Sequence, residues 1–229
     1  MFLLLLILII CLLYFYNRYR SYENYKMNNN QYKNYRLGDL IKGYIRKEEP
    51  ELYKLYPLRY KNTIAAEYIK MTKNKIKKDN NYELLKQICD RKQIVNNDDM
   101  VIHMRLGDAI TGKKGDKYIF QSFMRNFLQP YDYNKLFKKT KDFKNVTLIF
   151  GFHHGRYNKK LTRNYIDDVK KIFTNKGISV REKLSSDPDY VLCYMSQSNH
   201  FVMSGGGFSK LIAEVVKLNG NKVYSLKML

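Results

Sequence analysis

The sequence lacks tryptophan altogether and contains only three cysteines and four histidines among its 229 residues. The cysteines are Cys11, Cys89 and Cys193; they show no C-x-x-C spacing, and Cys11 lies in an apolar leader. We therefore expect neither a disulfide framework nor a zinc site. His153 and His154 are adjacent and lack the i, i+4 spacing of a helical metal pair, so a structural metal is not expected either.

Acidic residues are also scarce, since 21 Asp and Glu stand against 42 Lys and Arg, a formal net charge of +21. Such a surface attracts anions, whether nucleic acid, anionic lipid or phosphorylated small molecules. The abundant lysine, asparagine, tyrosine and isoleucine share A/T-rich codons, so the charge excess by itself establishes no specific partner. With 45% hydrophobic and 14% aromatic residues, the composition is neither that of a disordered chain nor that of a fibrous one.

An unbroken apolar run, residues 2–15, opens the sequence. It lacks the basic n-region and the small-residue cleavage site of a secretory signal, which favours an uncleaved membrane anchor over residues 1–20. A cleaved signal and a buried core helix are the alternatives. Arg18, Arg20 and Lys26 follow the run, and the positive-inside rule would keep the remaining chain in the cytosol.

The rest of the chain divides into a helical part and an alternating part. Residues 21–97 hold a polar stalk and two predicted helices, at about 64–77 and 82–91. From residue 98, short apolar strands alternate with helices; strands are predicted at 100–104, 146–150, 178–180, 200–203 and 222–225, and helices at 161–176, from 188 and at 208–218. This alternation predicts an α/β, Rossmann-like domain with a mostly parallel sheet over residues 98–229.

Several polar groups are predicted at the carboxyl ends of these strands, the edge where open α/β folds bind ligands. In His103-Met-Arg-Leu-Gly-Asp108, the planar fork of Arg105 suits phosphate because it makes two hydrogen bonds at once. In Ser204-Gly-Gly-Gly-Phe-Ser-Lys210, successive N–H groups at a helix N-terminus can face an anion. Asp189 begins the preceding helix, and His153-His-Gly-Arg156 follows the second predicted strand.

Each of these groups also has a purely structural interpretation. Arg105 and Asp108 can pair and hold a turn, and His103 can be a hydrogen-bonded core histidine. The glycines can form an ordinary strand–helix turn, Asp189 can supply negative charge at a helix N-terminus, and the two adjacent histidines can lie in a polar loop.

Taken together, the order and spacing of two segments resemble the fucosyltransferase superfamily that carries an H-x-R-R-x-D motif. The segments are Val101-Ile-His-Met-Arg-Leu-Gly-Asp108 and the stretch from Asp189 to Ser209. This superfamily includes α1,2-, α1,6- and protein O-fucosyltransferases, and the local match is closest to the α1,2 group. The resemblance covers about residues 98–225, and it implies a GT-B-like architecture that uses GDP-fucose without an obligatory metal.

Carried over by position, the resemblance assigns roles to individual residues. Arg105 would be the catalytic residue, in contact with the β-phosphate, while His103 and Asp189 would face the guanosine. Asp108 belongs to the same donor-binding motif. The remaining donor-binding residues would close on the phosphates: Ser204, Gly205, Gly206, Gly207, Phe208 and Ser209. Leaving-group stabilisation would then be electrostatic, supplied by Arg105 and backbone N–H groups.

The sequence departs from the family pattern at three places. Leu106 replaces the second arginine of the motif, Gly206 and Gly207 replace small hydroxyl residues, and the adjacent histidines at 153–154 stand where paired carboxylates often occur. The segment between the predicted anchor and residue 98 is also short for an acceptor domain. Donor binding is thus the firmer expectation, and fucosyl transfer depends on the resemblance.

The expected function is that of a membrane-anchored glycosyltransferase, transferring fucose from GDP-fucose to a glycan or protein acceptor. The alternatives are another nucleotide-sugar transferase, a non-catalytic relative and a basic nucleic-acid-binding protein. Nucleic acid is the less favoured partner because the lysines are spread along the chain without a recognisable binding motif. Many anchored glycosyltransferases face a lumen, in conflict with the positive-inside rule, so the sequence leaves the side of the membrane undecided.

Overall fold

The computed structural model describes residues 35–225 except 36, 42, 73–81, 107–108, 122–126, 141–142, 153–158 and 186. Apart from Tyr35, these residues belong to one compact unit, Arg36–Leu229. The predicted membrane anchor, residues 1–20, lies outside the described residues. Among the helices that are described, none is both long and apolar enough to cross a membrane.

In the described part before residue 98, the regular structure is helical. The helices are α1 Leu37–Ile41, α2 Tyr44–Glu48, α3 Pro50–Arg59, α4 Ile64–Met71 and α5 Tyr82–Arg91. The sequence predicted the last two, because their apolar residues recur on one face. It gave no signal for α1–α3; in α3, for instance, Tyr53 and Tyr56 are buried while Leu55 and Leu58 are exposed.

The remaining described chain alternates strands with helices, as the sequence predicted. The strands are β1 Met100–Leu106, β2 Ile110–Lys114, β3 Lys117–Phe120, β4 Asn145–Phe152, β5 Ser179–Leu184, β6 His200–Val202 and β7 Lys222–Tyr224. The helices are α6 Leu136–Lys139, which follows a 3-10 helix at Pro130–Lys135, then α7 Lys159–Thr174, α8 Pro188–Ser196 and α9 Gly206–Leu218. The antiparallel hairpin of β2 and β3 was not predicted.

Five of the strands form one sheet in the order β5-β4-β1-β6-β7, and each neighbouring pair is parallel. The prediction of an α/β fold with a mostly parallel sheet is therefore confirmed. Numbered among themselves along the chain, the five strands have the order 3-2-1-4-5, which is that of doubly wound folds. The chain reverses its winding direction between β1 and β6, so a crevice opens beyond their carboxyl ends.

The central strand β1 is buried on both faces, as expected for the middle of a parallel sheet. Met100, Ile102, Met104 and Leu106 share one face and pack with residues of β4 and α7 in an apolar core. Because side chains alternate along a strand, His103 and Arg105 point to the opposite face. Helix α9 contacts α1, α5 and α8.

A disulfide joins Cys89 of α5 to Cys193 of α8, with their Cα atoms 5.0 Å apart. The expectation that these cysteines form no disulfide was wrong. The two residues are 104 positions apart in sequence, and both are buried. Their spacing along the chain therefore contained no hint of the pairing, which arises only because α5 packs against α8.

An ion-pair cluster joins α7 to the edge strand β5. The Arg163 guanidinium makes two hydrogen bonds to the Glu182 carboxylate, at 2.6 and 2.9 Å, and Lys170 adds a third at 3.1 Å. These hydrogen bonds, chiefly those from Arg163, lower the pKa of Glu182 to about 2. The carboxylate consequently keeps its charge far into the acid range.

We expect this cluster to stabilise the folded protein at neutral pH and to lose that contribution in strong acid. Because the pKa of Glu182 is lower in the folded protein than in the unfolded chain, its contribution is complete above pH 4.5 and disappears as the pH falls towards 2. Glu182→Gln should therefore lower the free energy of unfolding at pH 7 by about 1 kcal/mol. The loss is this small because the ion pairs of Glu182 are partly exposed and solvent screens them. Urea titrations from pH 7 to pH 2 measure this; an equal loss in the exposed control Glu214→Gln would contradict it.

Candidate functional site

The candidate site lies at the carboxyl ends of β1 and β6. Beyond Ile102, the last residue of β1 that pairs with β6, the two strands separate. The Ser204 hydroxyl lies in this gap, and its Oγ accepts the backbone N–H of Arg105 at 3.0 Å. A side chain thus replaces a ladder hydrogen bond at the point where the sheet opens. The structure brings together here the two motifs that lie about 100 residues apart in sequence.

His103 contacts both the serine and the following helix. Its Nδ1 lies 3.4 Å from Ser204 Oγ, and its ring meets the Phe208 ring edge-on, with centroids 5.8 Å apart. The Ser204 hydroxyl donates to His103 Nδ1 in one tautomer of the histidine and accepts from it in the other. His103 is almost entirely buried and joins β1 to the start of α9.

Residues 204–208, termed here the glycine turn, lead from β6 into α9 and include the first three residues of that helix. Gly205 has φ 91° and ψ −178°, and Gly206 has φ 79°. Residues with a side chain rarely adopt these conformations, so both positions depend on glycine. The N-cap residue of α9 is Gly205, which has no side chain that could cap the first turn. The leading N–H groups of α9 lack partners within the helix, and the helix dipole gives this end a partial positive charge.

The Arg105 side chain lies directly against the glycine turn. A Cβ atom added to Gly206 would come 3.1 Å from Arg105 Nη1 and 3.5 Å from its Cδ. The guanidinium group therefore lies at the N-terminus of α9, a helix of 13 residues. The positively charged Arg105 guanidinium and the positive end of the α9 dipole lie next to each other. This arrangement suits a phosphate group.

Helix α1 contributes a contact that the sequence did not predict. A Cβ on Gly38 would come 3.1 Å from the backbone nitrogen of Phe208 and 3.3 Å from the carbonyl carbon of Gly207. The backbone of α1 thus approaches the glycine turn as closely as a residue without a side chain permits. A glycine in a short stretch without helical periodicity carries no signal of such a contact, so only the fold could reveal it.

Asp189 is placed near the same sheet edge, because α8 follows β5, but it binds another helix. Its Oδ2 accepts the backbone N–H of Ile64, the first residue of α4, at 2.6 Å. Thr63, the N-cap residue of α4, caps the same first turn by accepting the N–H of Ala66 at 3.3 Å. The buried carboxylate thus stabilises the N-terminus of α4 and links the helical part to the α/β part. Its predicted contact with guanosine stays a prediction.

Ser209 and Asp108 complete the predicted set of donor-binding residues. Ser209 is fully buried in α9, and its hydroxyl has no hydrogen-bond partner among the described residues. A phosphate contact through this hydroxyl would require the turn to open. Asp108 and the loop at 153–156, with its two histidines and arginine, lie outside the described residues, so their predicted roles stay predictions.

The structure also places Ser204, Phe208 and the motif departure Leu106. Ser204 and Phe208 contact His103, while Leu106, which replaces the second motif arginine, is buried in the core on the opposite face.

In the part of the chain that the structure describes, no group of three His, Cys, Asp or Glu residues could hold a metal ion. Neither the models of known protein families nor the curated proteins give a match to this chain.

A matched pair of glycine substitutions separates backbone strain from interference with Arg105. Gly205→Ala and Gly206→Ala both impose a positive φ on alanine, so each should lower the free energy of unfolding by about 1–3 kcal/mol. Only the methyl group at position 206 would meet Arg105, since no atom of the described residues lies within 4 Å of a Cβ at position 205. Gly206→Ala should therefore weaken the GDP binding that the resemblance implies about tenfold or more, because hydrogen bonds to charged groups contribute about 1.5–3 kcal/mol.

Urea unfolding and calorimetric titration with GDP measure the two effects separately. Gly205→Ala is the control for strain, and its affinity for GDP should stay close to that of the wild type. Identical GDP affinities in the two variants would show that the contact between Gly206 and Arg105 has no part in binding.

Proposed function

We propose that this protein is a glycosyltransferase that binds the diphosphate of a nucleotide sugar between Arg105 and the glycine turn. The observation that carries the proposal is the Arg105 guanidinium, which lies against Gly206 at the N-terminus of α9, where the N-cap residue is glycine. This point is the crevice between β1 and β6, where doubly wound sheets bind nucleotides. Glycine at 205–207 leaves room for a ligand to approach the backbone.

The donor is GDP-fucose, and the domain corresponds to one half of a GT-B fold. The support is the sequence resemblance, in which His103, Arg105 and Asp189 occupy the positions of the donor-binding motifs. An acceptor hydroxyl on a glycan or protein attacks C1 of fucose while the bond from C1 to the β-phosphate oxygen breaks, and the hydroxyl proton passes to water. The electron pair stays on GDP, and Arg105 with the N–H groups of α9 stabilises that charge without a metal. A membrane anchor at residues 1–20 completes the proposal.

A thermal-shift panel on the full chain tests this function. GDP-fucose and GDP should raise the melting temperature, GDP-mannose and a UDP-sugar less so, and an RNA oligomer not at all. Addition of EDTA should leave the shift produced by GDP-fucose unchanged. A larger shift with a UDP-sugar would reassign the donor, and stabilisation by RNA alone would replace the proposal with nucleic-acid binding.

Turnover distinguishes an enzyme from a non-catalytic relative that still binds the donor. Release of GDP from GDP-fucose, with water or an added glycan as acceptor, should depend on Arg105. GDP-fucose binding without any release of GDP, across a panel of glycan and protein acceptors, would indicate a binding protein.

A further inference from the structure

The disulfide between Cys89 and Cys193 bears on where this protein folds. Both cysteines are buried, at most 1% exposed, in the contact between α5 and α8. A buried disulfide of this kind is out of reach of reductants while the protein is folded. It must therefore form before or during folding, when both thiols are accessible.

We infer that residues 35–225 fold and function in an oxidising compartment, on the lumenal or extracellular side of a membrane, with this disulfide as a permanent crosslink. Its formation removes two electrons and two protons from the thiols. An oxidised dithiol oxidoreductase accepts them and is reduced in turn. Such oxidants act in secretory compartments, whereas the cytosol keeps protein thiols reduced. This inference does not depend on the proposed function.

The inference decides a question that the sequence left open. Arg18, Arg20 and Lys26 follow the apolar run, and their charge favours a cytosolic location for the chain beyond them. That rule is a statistical bias in membrane insertion, and it can be overcome. Thiol oxidation is a chemical requirement, because thioredoxin and glutathione would keep Cys89 and Cys193 reduced in the cytosol. The disulfide is therefore the stronger indicator of which side of the membrane the chain occupies, and the basic residues after the apolar run are the weaker one.

The position of the crosslink also explains what it holds together. Cys89 belongs to the helical part and Cys193 to the helix that precedes β6. The hydrogen bond from Ile64 to Asp189 links the same two parts, four residues earlier on α8 than the disulfide. The disulfide thus fixes α8 against the helical part. This contact lies on the face of the sheet that carries the candidate site.

Counting thiols tests the oxidation state directly. The full chain carrying Cys11→Ser is expressed in eukaryotic cells, trapped with acid, denatured and labelled with a maleimide reagent. We expect no labelled cysteine without a reductant and two after reduction. Cys89→Ala in the same background should expose Cys193 to labelling without reduction, which would identify the pair. Labelling of both cysteines in unreduced protein would overturn the inference.

A glycosylation reporter tests the compartment independently. Lys61 is exposed in the turn between α3 and α4, and Lys61→Asn creates the acceptor Asn-Asn-Thr with Asn62 and Thr63. The control Lys61→Gln removes the same charge without creating an acceptor. The chain already contains Asn145-Val-Thr147, so the comparison is between the two variants. Lys61→Asn should carry one additional endoglycosidase-sensitive glycan; its absence would place residue 61 in the cytosol and overturn the inference.

Discussion

Replacing Arg105 with lysine is expected to lower GDP-fucose turnover about 100- to 1,000-fold, a loss of about 2.7–4 kcal/mol of transition-state stabilisation. Lysine retains the charge, but it lacks the planar fork that can hold two phosphate oxygens at once. The fold should be preserved, because Ser204 accepts the backbone N–H of residue 105 and not its side chain. Arg105→Ala should lose at least as much activity.

The control for this experiment is Arg163→Lys, which makes the same exchange on α7. Arg163 binds Glu182 and Asp167, and α7 packs on the face of the sheet opposite to Arg105. Turnover of this variant should equal that of the wild type. Leu106→Ala would be a poor control, because Leu106 is buried in the core and its truncation would destabilise the fold. Wild-type turnover and GDP affinity in Arg105→Lys would exclude the proposed role.

Loss of the disulfide is expected to have the largest effect on stability. The crosslink closes a loop of 104 residues, and the chain-entropy model assigns about 4.7 kcal/mol to a loop of about 100 residues. We expect the double variant Cys89→Ala, Cys193→Ala to lose about 2–5 kcal/mol of unfolding free energy, the range observed when native disulfides are removed. Urea titration of the oxidised and variant proteins measures the difference.

Wild-type protein that is unfolded, reduced and refolded in the presence of reductant provides the matched control for the disulfide. It keeps both sulfur atoms in the contact between α5 and α8, so a loss of stability on reduction reports the crosslink alone. The double variant additionally removes buried volume, and its loss should be equal or larger. A change of less than 1 kcal/mol on reduction would mean that the packing of the two helices holds this region without the covalent bond.

The sequence predicted much of the α/β part because its signals are local. Short apolar strands alternate with periodic helices, and Asp187-Pro188 marks the start of α8, where the Asp187 side chain accepts the N–H groups of residues 189 and 190. The sequence also placed Arg105 and the glycine turn at one edge of the sheet, because the carboxyl ends of parallel strands share an edge. Boundaries differed by a few residues, as where β1 continues to Leu106.

The tertiary structure alone decided which residues meet across long separations. Cys89 bonds to Cys193, Asp189 caps α4 and Gly38 approaches the glycine turn, although each pair is more than 100 residues apart. No periodicity or spacing encodes such a contact, because it depends on how whole helices pack against the sheet. The sequence by itself indicated α4, α5 and the alternating strands and helices of the parallel sheet. Only the structure showed α1–α3 and the hairpin of β2 and β3. Packing determined the partners of the polar side chains and the covalent bond between the two parts.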